Sequence, residues 1–261
     1  MSNLAMNDGN RLTICGCGGI GAIVRAMKAN SNAAKLQRYA CTALGNLARG
    51  KKGENREKIK DEGGIKAIVV AMNHFPNSSG LQRTCLRAFG NLAKDDIGRQ
   101  GILEADGIRA VVAAMRNFAN HGIQEAGCHA LGNLSMSEQF AAVTVDLGGA
   151  QCVTHAMDIL DRNEEVQRCG CFALLYMTRG CLEKLQRQGH VDAITRVVEA
   201  AIDTFASSRY IRKYGKKTLE ETKKVQCDGL VSLDWPILYL PRHQHEGMDP
   251  TTMSLQFPSF Q

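Results

Sequence analysis

Four copies of one pattern recur along the chain at intervals of 42–45 residues. They are Leu36-Gln-Arg-Tyr-Ala-Cys-Thr-Ala-Leu-Gly-Asn-Leu-Ala48, Leu81-Gln-Arg-Thr-Cys-Leu-Arg-Ala-Phe-Gly-Asn-Leu-Ala93, Ile123-Gln-Glu-Ala-Gly-Cys-His-Ala-Leu-Gly-Asn-Leu-Ser135 and Val166-Gln-Arg-Cys-Gly-Cys-Phe-Ala-Leu-Leu-Tyr-Met-Thr178. A second pattern keeps the same register, in the stretches that end at Met27, Met72, Met115 and Met157 and open on Gly-Gly, Gly-Gly, Asp-Gly and Gly-Gly. Within the first pattern Ala40, Ala43, Leu44 and Leu47 fall at helical spacing and form one apolar stripe. One such unit cannot bury its stripe alone, so the period demands a stack of helical units sharing a continuous core.

The spacing predicts three helices per unit. Long third helices fall near 33–49, 79–94, 121–136 and 163–179, and second helices near 19–29, 64–74, 107–118, 149–160 and 190–206. Short first helices fall near 54–62, 97–105, 138–147 and 181–188. Gly64, Gly107 and Gly149 stand between two helical runs, where a sharp turn needs a permissive residue. Both halves of the unit resemble the armadillo repeat: Asn55–Met72 is similar to its first two helices and Leu81–Ala93 to its third, with Asn46, Asn91 and Asn133 equivalent and Tyr176 in the fourth slot. The resemblance covers residues 18–206 and implies an all-α, right-handed solenoid of four to five three-helix repeats. Around that array the sequence is divided into an irregular segment at 1–17, a basic helical or linker segment at 207–224 and a Pro-containing tail at 225–261. The array is then expected to open on a second helix, its first helix missing or degenerate.

Composition narrows the function. Hydrophobic content of 44% supports a continuous core. No run approaches the roughly 18 consecutive apolar residues of a membrane span, and no basic-then-apolar signal segment opens the chain. Ten cysteines are present, but Cys41, Cys128 and Cys171 each lie five residues before the repeat's Asn or Tyr. Such positions pack between helices, where a free thiol acts as a small hydrophobe. Cys15/Cys17 and Cys169/Cys171 lack the spacing of zinc knuckles, so no metal and no cofactor is expected. The cytoplasm is the expected compartment, with the nucleus also open.

Gly16-Cys-Gly-Gly-Ile-Gly21 satisfies the dinucleotide pattern G-x-G-x-x-G, but no Asp or Glu occurs between Asp8 and Glu54 to hold a ribose. Gly18-Gly19-Ile20 also lies 45 residues before Gly63-Gly64-Ile65, so the repeat already accounts for it as an inter-helix turn. No nucleophile-elbow, zinc-protease or phosphate-loop motif occurs, and an enzyme is not expected.

The armadillo resemblance implies a concave face lined by third helices. In peptide-binding relatives such as importin-alpha and beta-catenin, the Asn of that helix meets the backbone of an extended peptide; this role carries over to Asn46, Asn91 and Asn133, with bracing of the helix end as the competing role. Importin-alpha places Trp four residues before the Asn, whereas this chain has Thr42, Arg87, His129 and Phe172 there. The groove, completed by Tyr176, is therefore expected to take an acidic and apolar peptide rather than a lysine-rich signal. The leading expectation is a protein-binding scaffold or adaptor. An importin-alpha-like cargo receptor is the alternative, as is an anion- or nucleic-acid-binding protein using Arg209, Arg212, Lys213, Lys216, Lys217, Lys223 and Lys224. Nucleic acid is disfavoured because aromatic and basic residues are not interleaved. The segment 233–240, with Trp235, is expected to cover the apolar face of the helix near 190–206, which carries Ile194, Val197, Val198, Ala201 and Ile202, with a short docking motif as the alternative.

Overall fold

The computed structural model describes residues 3–50 and 53–228. A 3-10 turn at Leu4–Met6 precedes fourteen α-helices in this region, and no strand occurs among the described residues. The first unit is α1 (Asp8–Gly16), α2 (Gly19–Ala29) and α3 (Ala34–Leu47). The second is α4 (Glu54–Asp61), α5 (Gly64–His74) and α6 (Ser79–Leu92). The third is α7 (Asp96–Glu104), α8 (Gly107–Asn117) and α9 (His121–Leu134). The fourth joins α10 (Glu138–Asp146) and α11 (Gly149–Ile159) to the first part of α12 (Glu164–Arg187). The rest of α12 with α13 (Val191–Thr204) and α14 (Arg209–Asp228) makes the fifth. The result is a right-handed solenoid in which α3, α6, α9, α12 and α14 pack side by side.

The recurring residues explain why the units repeat in register. Gln37, Gln82, Gln124 and Gln167 are all buried. Each Nε2 donates to the carbonyl of the recurring Met, at 2.8 Å for Met27, Met72 and Met115 and 2.7 Å for Met157. Each also donates to a second carbonyl just beyond, on Asn30, Phe75, Phe118 or Leu160. One side chain of the third helix thus closes the C-terminus of the second helix, whose last carbonyls have no partner within the helix. Gly127 and Gly170 let Met115 and Met157 approach, since a Cβ there would lie 2.4 Å from the sulfur in each case. The turn between first and second helices needs two residues. Gly18, Gly63 and Gly148 take positive φ, with Asp106 at φ 59° in the same place. The following Gly64, Gly107 and Gly149 pass so close to the preceding helix that a Cβ would meet the carbonyls of Ile59, Ile102 and Thr144 at 3.0, 3.0 and 2.7 Å. The dinucleotide-like glycines Gly16, Gly18 and Gly19 form this same turn between α1 and α2.

Both ends of the array differ from the sequence expectation. Residues 1–17 are not irregular in the part described, because α1 supplies the first unit with a first helix. Arg11 of α1 is buried and donates to the carbonyls of Ala5 and Met6, at 3.1 and 2.9 Å. Arg56 and Arg99, on α4 and α7, make the equivalent bonds to Ala48 and Ala93 at 2.9 and 2.7 Å. At the other end the basic segment takes the helical of its two expected forms, as α14, but it belongs to the array and does not lie outside it. It packs on α12 and α13, Ile211 is fully buried, and Ile194, Val197, Val198 and Ala201 are buried. A Cβ at Gly215 would lie 2.9 Å from Ile202 and 3.3 Å from Val198. Within the described residues, therefore, α14 covers the face that the sequence had assigned to 233–240. That segment and Trp235 lie outside the described residues, as does most of the 225–261 tail. The first helix predicted at 181–188 is continuous with the fourth third helix in α12, apart from a kink at Cys181 (φ −149°, ψ 31°).

Candidate concave-face groove

The side-by-side third helices place equivalent residues in rows. In the Asn row, Asn91 Nδ2 donates to the Gly45 carbonyl at 3.0 Å and Asn133 Nδ2 to the Gly90 carbonyl at 2.8 Å. Each amide thus reaches back to the third helix of the preceding unit, to the glycine just before that unit's own Asn. The ladder braces neighbouring helices with its donors. No hydrogen bond from a described residue reaches the Asn91 Oδ1. Asn133 Nδ2 also lies 3.3 Å from His129 Nε2 on the same helix. The fifth slot, 45 residues after Tyr176, holds Glu221, which accepts from Arg179 Nε at 3.2 Å and pairs with Lys224.

Thr42, Asn46, Arg87, Asn91 and His129 line one hollow of about 520 Å³ over α3, α6 and α9. Asn133, Phe172 and Tyr176 lie beyond it along the array and do not line it. Phe172 packs edge-on against Tyr176 at 5.1 Å and against Tyr214 at 5.4 Å, and Tyr210 stacks on Tyr214 at 6.4 Å. The apolar end of the groove therefore extends onto α14, which sequence reasoning missed. Tyr214 could have been found there, because it lies 45 residues after Cys169, in the row that begins at Tyr39.

The hollow is strongly basic. Arg49, Arg83, Lys94 and Arg168 line it together with Arg87, against the single carboxylate of Glu125. Arg49 and Lys94 follow their Asn by three residues, a row not singled out in the sequence. Arg168 is held by Glu165 at 3.1 Å. Among the described residues no carboxylate pairs with Arg49, Arg83, Arg87 or Lys94, although ion pairs join neighbouring units elsewhere, as Lys184–Asp146 at 2.8 Å and Arg196–Asp158 at 2.7 Å. Burial, then the charges of Lys94, Arg168 and Arg87, push the His129 pKa below its ordinary value. Burial, then Arg49 and Arg56, lower that of Lys94. Among the described residues no cluster of three His, Cys, Asp or Glu could hold a metal ion, and no single helix is long and apolar enough to cross a membrane.

The profile of the family described as LRRK2 ARM repeat matches residues 20–193. No curated protein sequence matches the chain. Among solved structures, an engineered protein superposes with a TM-score of 0.72 at 22% identity, covering 85% of this chain and 87% of that one. A designed armadillo repeat protein in complex with the peptide (KR)4 gives a TM-score of 0.70 at 18% identity, covering 85% and 89%. A further designed armadillo repeat protein gives 0.72 at 18%, covering 85% and 90%. At such identities the likeness carries the fold.

Proposed function

The chain belongs to the LRRK2 ARM repeat family of armadillo-repeat proteins, and from that premise we propose that it is a non-enzymatic scaffold or adaptor that holds an extended protein segment along its concave face. The observation that carries this reading is the basic hollow over α3, α6 and α9, continued by the aromatic patch of Phe172, Tyr176, Tyr210 and Tyr214. The charge selects a segment with acidic residues, and the patch gives an apolar side chain a place to bury. Arg87 and His129 in the Trp positions of importin-alpha oppose a lysine-rich cargo. The designed relative described above binds a basic peptide; the hollow here carries the opposite preference. The basic residues of 209–224 form the outer side of the last helix, which supports a solvated face over a separate nucleic-acid site. We place the scaffold in the cytoplasm, with the nucleus also open, a reducing setting that suits the eight buried free cysteines among the nine whose side chains are described. A fluorescent fusion whose signal enters the secretory pathway would remove that assignment. Binding is tested by isothermal titration with matched acidic-apolar and lysine-rich peptides. Preference for the acidic peptide supports the proposal, and preference for the basic one refutes the assigned charge selectivity.

A further inference from the structure

The concave-face reading leaves one feature unexplained, the amount of unpaired charge in a small space. Elsewhere single carboxylates answer single cations: Asp146 meets Lys184 and Asp158 meets Arg196. In the hollow Arg49, Arg83, Arg87 and Lys94 share about 520 Å³ with Glu125 as the single lining carboxylate, and none of the four forms an ion pair among the described residues. They come from two adjacent units, Arg49 just past α3, Arg83 and Arg87 on α6, and Lys94 just past it. One glutamate of a bound peptide carries one charge and answers one of these four. A phosphoryl group carries nearly two charges and three strong acceptor oxygens, which match the planar fork of arginine and the compact ammonium of lysine together.

We propose that this hollow is a phosphate-recognition subsite that takes a phosphorylated serine or threonine of the segment bound along the concave face, through Arg49, Arg83, Arg87 and Lys94. The proposal rests on the concave-face reading and adds regulation to it: a kinase acting on the partner sets how tightly the partner is held. His129 lines the same hollow and serves as an internal reporter. Its pKa is depressed first by burial and then by Lys94, Arg168 and Arg87, so an anion seated between Lys94 and Arg87 offsets the part the cations cause and moves it up.

The test uses one short capped peptide, glutamate and leucine alternating around a central serine, in serine, aspartate and phosphoserine forms. Each is titrated into the whole chain and into an Arg87→Gln/Lys94→Gln variant whose fold is checked by circular dichroism. The phosphoserine form should bind about tenfold or more tightly than the serine form, with the aspartate form close to serine. That advantage should collapse in the variant, while binding of the serine form falls far less. Inorganic phosphate, against chloride at equal ionic strength, should raise the His129 pKa read by NMR. Equal binding of serine and phosphoserine forms would overturn the subsite and leave the concave-face reading standing. Binding by none of the three forms would remove both. An advantage that survives in the variant, or an unmoved His129, would place the phosphate elsewhere and overturn the assignment. Tighter binding of an oligothymidylate that displaces the phosphopeptide would give the hollow to nucleic acid instead.

Discussion

Replacing Gln82 by Met keeps the side chain's length and volume but removes both of its N–H donors. Two carbonyls at the end of α5 then lose a partner, Met72 at 2.8 Å and Phe75 at 3.0 Å. A buried acceptor left unsatisfied costs about 1–3 kcal/mol. The bond to Met72 is fully buried and that to Phe75 partly, so the second loss falls at the low end because water can reach it. Together they amount to about 2–4 kcal/mol, offset by about 1 kcal/mol from burying a thioether in place of an amide. The expected net loss is about 1–3 kcal/mol. For a chain of this size that lowers Tm by about 3–10 °C. Urea unfolding followed by circular dichroism measures the stability, and hydrogen exchange locates the loss. Amides in the last turn of α5 should exchange faster while those of α11 stay unchanged, because each unit touches only its neighbours. Gln100→Met, at a half-buried position whose amide makes only an exposed hydrogen bond to Glu104, should remain within about 0.5 kcal/mol of the parent. If Gln82→Met is as stable as Gln100→Met, the recurring Gln is not the element that closes the second helix.

Four further outcomes are expected. Gly45→Ala should destabilise the array by about 1–3 kcal/mol in the same unfolding assay, since the added Cβ would lie 2.9 Å from the Ala88 backbone. Among the nine cysteines whose side chains are described, only Cys17 should label rapidly in the native protein, because the others are buried. Burial holds the Cys169 thiol up at about 11 and Cys171 at about 12, above the ordinary thiol value of 9.0. Stability is therefore full below pH 9 and lost as pH rises towards those values, since the unfolded thiols ionise first; Cys171→Ala should flatten the decline measured by urea titration at high pH. Ending the chain after residue 206 should expose Ile194, Val197 and Val198 and cause aggregation visible by light scattering.

The period was enough to place the internal helices because it is written in residues with unavoidable jobs, the Gln that closes a helix, the Met beside it and the glycines of the turn. Their jobs were less legible than their recurrence. A Gln equivalent to Gln82 stands in every copy of the pattern, yet only the carbonyls at hydrogen-bond distance reveal it as a helix closure. The ends were harder because an end helix has one neighbour instead of two. On α14 the Gln slot is Arg212 and the Asn slot Glu221, since the outer side faces solvent; Ile211 and Gly215 still keep the 45-residue offset from Val166 and Gly170. At the start, Asn3-Leu4-Ala5 repeats Asn91-Leu92-Ala93, and Arg11 repeats Arg99 at the same offset. That match is too short to stand out until both arginines are seen donating to preceding carbonyls. Of the groove, the Asn row and its flanking positions were readable as an alignment column. The basic row of Arg49 and Lys94 was not, because it lies just past the helix ends, where the pattern stops.

A partner segment that lies along the concave face and is held by the basic hollow must lose affinity when the charge there is reversed. The direct measurement is affinity for an acidic-apolar peptide selected by display on the parent chain, compared between an Arg87→Glu/His129→Glu variant and a Lys66→Glu variant, which adds the same kind of charge on a second helix. The account predicts at least about a tenfold loss in the first, where two glutamates face the ligand's own acids, and little change in the second. Equal affinity for the parent and the Arg87→Glu/His129→Glu variant, or a larger loss in Lys66→Glu, would contradict it.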